Sequence, residues 1–175
     1  MNTPIRAIVL ALAIAGLGAC KKEVVKPMDS VTPESRDTTS ASVGDTDGGI
    51  DYTDPTTLDT VPCLVSRLAY FDLDQSSVKS EAMEMIRCHG KYLAANPGAR
   101  IALEGHADER GSREYNLGLG ERRANAVRDL LLANGGGNEQ INVVSYGEER
   151  PICTEGDDGC WSQNRRAEIR YTAKQ

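Results

Sequence analysis

A chain of 175 residues, 39% hydrophobic and 26% charged, has room for one modest domain with tails and not for two full domains. Its net charge of −6 and pI near 5.0 argue against a nucleic-acid partner, which needs a basic face to displace counterions. With one Trp and one Phe, an exposed aromatic platform is not expected.

The N-terminus has the layout of an export signal. Arg6 precedes the apolar run Ala7–Ala15, AIVLALAIA, and Leu17-Gly18-Ala19-Cys20 follows. The run falls short of the ~20 residues of a spanning helix, so residues 1–19 are predicted to be cleaved off. Small residues ahead of a cysteine resemble the lipobox of bacterial lipoproteins. That resemblance implies that Cys20 becomes the acylated first residue, with palmitate among its chains, and that Lys21, not being Asp, sends the product to the outer membrane. Several acyl chains on one residue give stable anchoring, at ~0.8 kcal/mol per buried methylene.

Residues 20–57 are rich in Ser, Thr, Asp, Pro and Gly and lack apolar clustering, so ordering them would cost more entropy than their burial returns. They are expected to form a flexible linker with an end-to-end span of roughly 30–35 Å.

Residues 58–175 are expected to form the folded domain. Leu64–Phe71 predicts a first strand, with Ala69 and Phe71 on one face and Leu68 and Tyr70 on the other. Ser80 is placed to cap a helix running to Ala95, whose Ala82, Ile86, His89 and Leu93 recur at helical spacing. Asn96-Pro97-Gly98 stops it. Arg100–His106 predicts a second strand with Ile101 and Leu103 inward. A second helix is expected over Arg113–Asn134, with Leu117, Ala124, Val127 and Leu131 on its buried stripe and Gly135–Gly137 ending it. Ile141–Tyr146 and Ala167–Thr172 supply two more strands. The order β-α-β-α-β-β predicts an α+β fold, a mixed four-stranded sheet with helices packed on one face.

Apart from Cys20, four cysteines remain, Cys63, Cys88, Cys153 and Cys160. An even number in an exported chain favours disulfides, and three connectivities are open. Cys153–Cys160 would close a local loop, and Cys63–Cys88 would tie the first strand to the first helix. No C-x-x-C spacing exists, so neither a zinc knuckle nor another metal site is expected, and no cofactor motif is present.

The segment Glu104–Val127 holds the most chemistry. Asp108 follows an alternating strand, and Arg122 and Arg123 follow on an amphipathic helix. A carboxylate accepts from an ammonium, and a guanidinium grips a carboxylate bidentately, so together they suit a zwitterionic ligand. Spacing alone equally allows a simple Asp108–Arg123 ion pair, worth little if exposed.

The stretch EGHADERGSREYNLGLGERRANAV closely resembles the signature of the OmpA-like C-terminal domain, in the version carried by peptidoglycan-associated lipoproteins, and the resemblance extends from about Leu64 to Tyr171. It implies peptidoglycan binding through the free end of meso-diaminopimelate, held by Asp108 and Arg123. Asn116 and Leu119 then line the site, Phe71 and Asp72 contribute backbone groups at a strand end, and His106 packs beside it. Gly120 stands where the wider family usually has Ser, as in the lipoprotein branch. Glu109-Arg110-Gly111 matches a loop near partner-binding surfaces. Asn164-Arg165-Arg166-Ala167 is a recurrent family segment, read here as charges on an edge strand without a ligand role.

The implied function is a non-catalytic outer-membrane lipoprotein facing the periplasm. It would tether that membrane to the cell wall within the Tol-Pal system, with a periplasmic β-propeller protein and an inner-membrane-anchored Tol protein as partners, and support constriction in division. The alternatives are an OmpA-like lipoprotein of another envelope system and, remotely, a metal-dependent hydrolase built on His106 and Asp108. No G-x-S-x-G elbow supports an enzyme.

Overall fold

The computed structural model describes residues 49–175. The expected signal, Cys20 and most of the linker lie outside the described residues. Two short helical turns, α1 (Thr57–Thr60) and α2 (Pro62–Val65), lead into β1 (Leu68–Tyr70). The long helix α3 (Ser80–Ala95), β2 (Arg100–His106) and the second long helix α4 (Arg113–Ala133) follow. A 3-10 turn (Asn138–Gln140), β3 (Ile141–Gly147), α5 (Asp158–Asn164) and β4 (Arg166–Ala173) complete the chain. The sheet order is β1-β4-β2-β3, with β2 and β3 parallel and the other neighbours antiparallel. This is the mixed four-stranded α+β sheet read from the sequence.

Alternation along the strands sorts the side chains by face. Ala69, Phe71, Ile101, Leu103, Ala167 and Ile169 are buried against Ala82, Ile86 and Leu93 of α3 and Ala124, Val127 and Leu131 of α4. Each such Leu or Ile contributes roughly 1.5–3 kcal/mol by leaving water. The closest approach is at Gly105, where an added Cβ would lie 1.9 Å from the Gly120 carbonyl oxygen. Two side-chain-free positions thus let α4 lie against β2.

Several expectations are corrected. β1 is shorter than Leu64–Phe71 because Pro62, at the first position of a helical turn, favours helix there, and Leu64 is buried from that turn. Cys63 accordingly sits in α2. Its bond to Cys88 joins α2 to α3, and Cys153 pairs with Cys160. Ser80 is the first helical residue, not the cap; Lys79 holds that place without a side-chain hydrogen bond. β4 is no edge strand, since it lies between β1 and β2, and its Arg166 is buried. α5 was not anticipated: Asp157 caps it by accepting from the Cys160 N–H at 2.8 Å. Tyr52, within the expected linker, packs against the core.

Candidate functional site

Where β2 ends, Ala107 still donates to the Gly147 carbonyl at 2.8 Å, and the chain then turns through Asp108 to Gly111. Gly111 has φ +116°, a conformation that only glycine adopts without strain. Ser112 caps α4 by accepting from the Tyr115 N–H. Asn116, Leu119 and Arg123 then recur on one stripe of α4 facing this loop, and all three are buried. Asn116 fastens the loop to the helix, donating to the carbonyls of Asp108 at 3.1 Å and Arg110 at 3.3 Å and to the Glu148 carboxylate.

The Asp108 carboxylate is 4% exposed and is held by two arginines. Arg110 donates from its backbone N at 3.1 Å, from Nε at 3.2 Å and from Nη2 at 2.7 Å. Arg165 adds Nη1 at 3.1 Å. Burial pushes the Asp108 pKa up, but the hydrogen bonds from Arg110 and then Arg165 outweigh it, leaving the group below its ordinary value and ionised. Arg110 also lies over the Trp161 ring at 4.2 Å.

Arg123 is 0% exposed and does not pair with Asp108. Its Nε, Nη1 and Nη2 donate to the carbonyls of Gln75 (2.9 Å), His106 (2.7 Å) and Asp72 (3.1 Å). Of the five guanidinium N–H groups, these bonds leave two. Burial is the main cause that lowers its pKa to about 10, offset in part by the charge on Asp108, so it stays cationic at neutral pH. The side chain thus cross-links the segment after β1 to the end of β2 as well as facing the cavity.

That cavity measures about 310 Å³ and is lined by Asp108, Arg110, Asn116, Leu119, Arg123 and Arg165, with Leu73, Asp74 and Tyr115 at its sides. Three arginines face two aspartates, so the lining carries a net positive charge suited to a ligand with a carboxylate beside a second polar group. Phe71 and Asp72 stand behind the arginines. The Phe71 ring lies 5.3 Å from the Arg123 guanidinium, its carbonyl accepts from Arg165 Nε at 3.1 Å, and the Asp72 side chain pairs with Lys79.

Of the residues singled out in the sequence, the structure brings Asp108, Arg123, Asn116 and Leu119 together in the cavity, with the backbones of Phe71 and Asp72 adjoining. It does not bring in the His106 imidazole. Only the His106 carbonyl reaches Arg123; the ring stacks on Tyr146 at 5.6 Å on the sheet face away from α3 and α4. Burial, then Arg166 and Arg150, push its pKa down to about 3, so the ring is neutral. The imagined hydrolase pair of His106 and Asp108 is therefore not assembled. Instead, among the described residues, Glu104, His106 and Glu168 converge as the one group with metal-ligand character.

Arg110 and Arg165 were missed as site residues. Arg165 lies 57 residues beyond Asp108, and no local spacing signals that contact. The hint was the doubled arginine ahead of a strand, read as surface charge.

The OmpA family model matches residues 70–165. A peptidoglycan-associated lipoprotein of Pseudomonas putida is 54% identical over 101 residues, covering 58% of this chain and 60% of that protein, so this match spans little more than half of the relative's length. One from Agrobacterium fabrum is 36% identical over 174 residues, covering 95% of this chain and 85% of that protein. The crystal structure of the peptidoglycan-associated lipoprotein from Burkholderia pseudomallei superposes with TM-score 0.65 at 41% identity, covering 68% of this chain and all (100%) of that one. The C-terminal domain of Helicobacter pylori MotB, at 22% identity and TM-score 0.57, covers 62% of this chain and 85% of its own and shares the fold.

Proposed function

Because the chain belongs to the OmpA family, in its branch of peptidoglycan-associated lipoproteins, we propose that it is an outer-membrane lipoprotein whose cavity grips the free end of diaminopimelate in the cell wall. The observation that carries this reading is the convergence of Asp108, Arg123 and Arg165 on one cavity of about 310 Å³. The ligand's amino-acid end bears an ammonium and a carboxylate on one carbon. The ammonium takes the Asp108 oxygens now held by Arg110, whose side chain is 32% exposed and gives up that pairing on binding. The carboxylate meets the remaining N–H groups of Arg123 with Arg165 beside it. Both contacts are charge-assisted hydrogen bonds, the stronger class of such bonds.

In this reading Cys20 carries the acyl chains in the inner leaflet of the outer membrane, and the domain faces the periplasm. Many anchored copies along a polymeric ligand make a weak single pocket sufficient. Engagement with the Tol system, through its β-propeller protein and its inner-membrane-anchored member, places the tether in envelope constriction. Recovery of those two proteins with this chain separates that role from service in another envelope system.

The test of the pocket is sedimentation with insoluble peptidoglycan of the diaminopimelate type and of the lysine type, for the unaltered chain, Asp108→Asn and Arg123→Lys. Lysine lacks the second carboxylate, and Arg123→Lys keeps the charge while losing the planar fork. Binding to the diaminopimelate wall is expected to fall about tenfold or more in both variants, the cost of one charge-assisted hydrogen bond at ~1.5–3 kcal/mol. Equal binding to both walls, unchanged by either substitution, overturns the reading.

A further inference from the structure

On the sheet face away from α3 and α4, β2 and β4 set Glu104 directly opposite Glu168. Like charges so placed repel. Their present counter-ions are loose: Arg170 Nε stands 3.6 Å from Glu104 and Arg166 Nε 4.0 Å from Glu168, against about 2.7–2.9 Å for a formed charge-assisted bond. Two residues beyond Glu104 on the same face is His106, 1% exposed, with neither ring nitrogen bonded to any group. A buried imidazole with both nitrogens unpaired is costly and rare. The other histidine of the chain shows the ordinary outcome, since His89 uses Nδ1 on the Tyr171 hydroxyl and Nε2 on the Ser66 carbonyl, both at 2.9 Å.

One ligand atom from each of Glu104, His106 and Glu168 lies within 4.8 Å of the others. We propose that these three residues form a binding site for one transition-metal dication of the zinc type, on the sheet face opposite the diaminopimelate pocket. The donor set selects the ion: an imidazole with two carboxylates suits Zn²⁺ and its neighbours, whereas Ca²⁺ and Mg²⁺ take oxygen donors. Zinc needs bonds of about 2.0–2.2 Å, so the carboxylates must draw in slightly. Their flexible side chains allow it, and Arg170, whose side chain is 57% exposed, can leave Glu104 to solvent. The Tyr146 stack holds the imidazole in place. Arg166, 3% exposed, stays close and weakens the site without occupying it, and Arg150 is engaged over Tyr146. No metal site was expected from the sequence, where His106 was weighed as a ligand only beside Asp108; its present partners lie on two strands, 62–64 positions apart for Glu168.

Bound metal would clip β2 to β4 and stabilise the folded state by mass action. The test is zinc titration of the purified chain, followed by calorimetry and by imidazole nitrogen NMR, in which two histidines give two resolvable rings. One equivalent is expected to bind, shifting the His106 signals and leaving those of His89 in place. Glu168→Gln, an isosteric change at a partly exposed side chain, is expected to weaken binding at least tenfold, and Glu104→Gln likewise, with unmoved His89 signals reporting an intact core. If zinc binds without shifting His106, as it would at a free Cys20 thiol, or if neither substitution weakens it, the proposal fails. Absence of binding also overturns it.

Discussion

The two histidines are equally buried and differ in everything else. His89, on α3 beside Ser66 and Tyr171, has both nitrogens bonded, while His106, on the other face of the same sheet, has neither. The side covered by α3 and α4 is saturated: its apolar groups interlock and its few polar ones find partners. The opposite side is closed to solvent in places yet leaves His106 and Arg166 with unpaired nitrogens. Burial and satisfaction are separate properties. The saturated side holds the fold, and the unsaturated one has capacity for a ligand.

The sharpest way to break this contrast is to empty a position on the saturated side. Leu103 is 0% exposed at the centre of the sheet, and Leu103→Ala should cost about 2–5 kcal/mol in denaturant unfolding, through lost burial plus a cavity. A loss below ~1 kcal/mol there would mean that the helix side is not the tighter one.

Acid should act next. Burial first, then the charge on Arg67 against a hydrogen bond to Ser66, lowers the His89 pKa from 6.5 to about 4. The unfolded chain therefore takes up the proton first as pH falls through 6.5, and stability drops until about pH 4, below which His89 adds no further slope. The gap amounts to roughly 3 kcal/mol. It is read by comparing unfolding free energies at pH 7 and pH 4 for the unaltered chain and His89→Gln: the variant should lose less by about that amount, and identical pH slopes would contradict the assignment.

The smallest effect should come from the exposed rim. Arg113 donates to Glu149 at 2.7 Å with both side chains well exposed, so Arg113→Ala should change stability by less than ~1 kcal/mol and leave sedimentation with peptidoglycan unaltered. A larger change in either would extend the pocket beyond its present lining.

The bounds of α3 and β2 were legible because Ala82, Ile86, His89 and Leu93 repeat at helical spacing and Ile101 and Leu103 alternate. Asn116, Leu119 and Arg123 were placed together by the family resemblance and not by spacing. Periodicity put Leu117, Ala124, Val127 and Leu131 on the buried stripe of α4, and the structure leaves Leu117 half-buried while burying Asn116, Leu119 and Arg123. The ion pair of Asp108 with Arg123, which spacing allowed, does not form, because the nearer Arg110 and the distant Arg165 take the carboxylate while backbone carbonyls take the guanidinium.

Periodicity and turn residues by themselves determined the two long helices, the four strands in their order and the apolar positions of α3 and β2, since these depend on neighbours a few residues apart. Tertiary structure alone decided which arginines hold Asp108, that β4 lies inside the sheet, and that Glu104 faces Glu168 beside an unpaired imidazole. Each of these depends on strand order and register between segments dozens of residues apart, which only the packing of helices on the sheet selects.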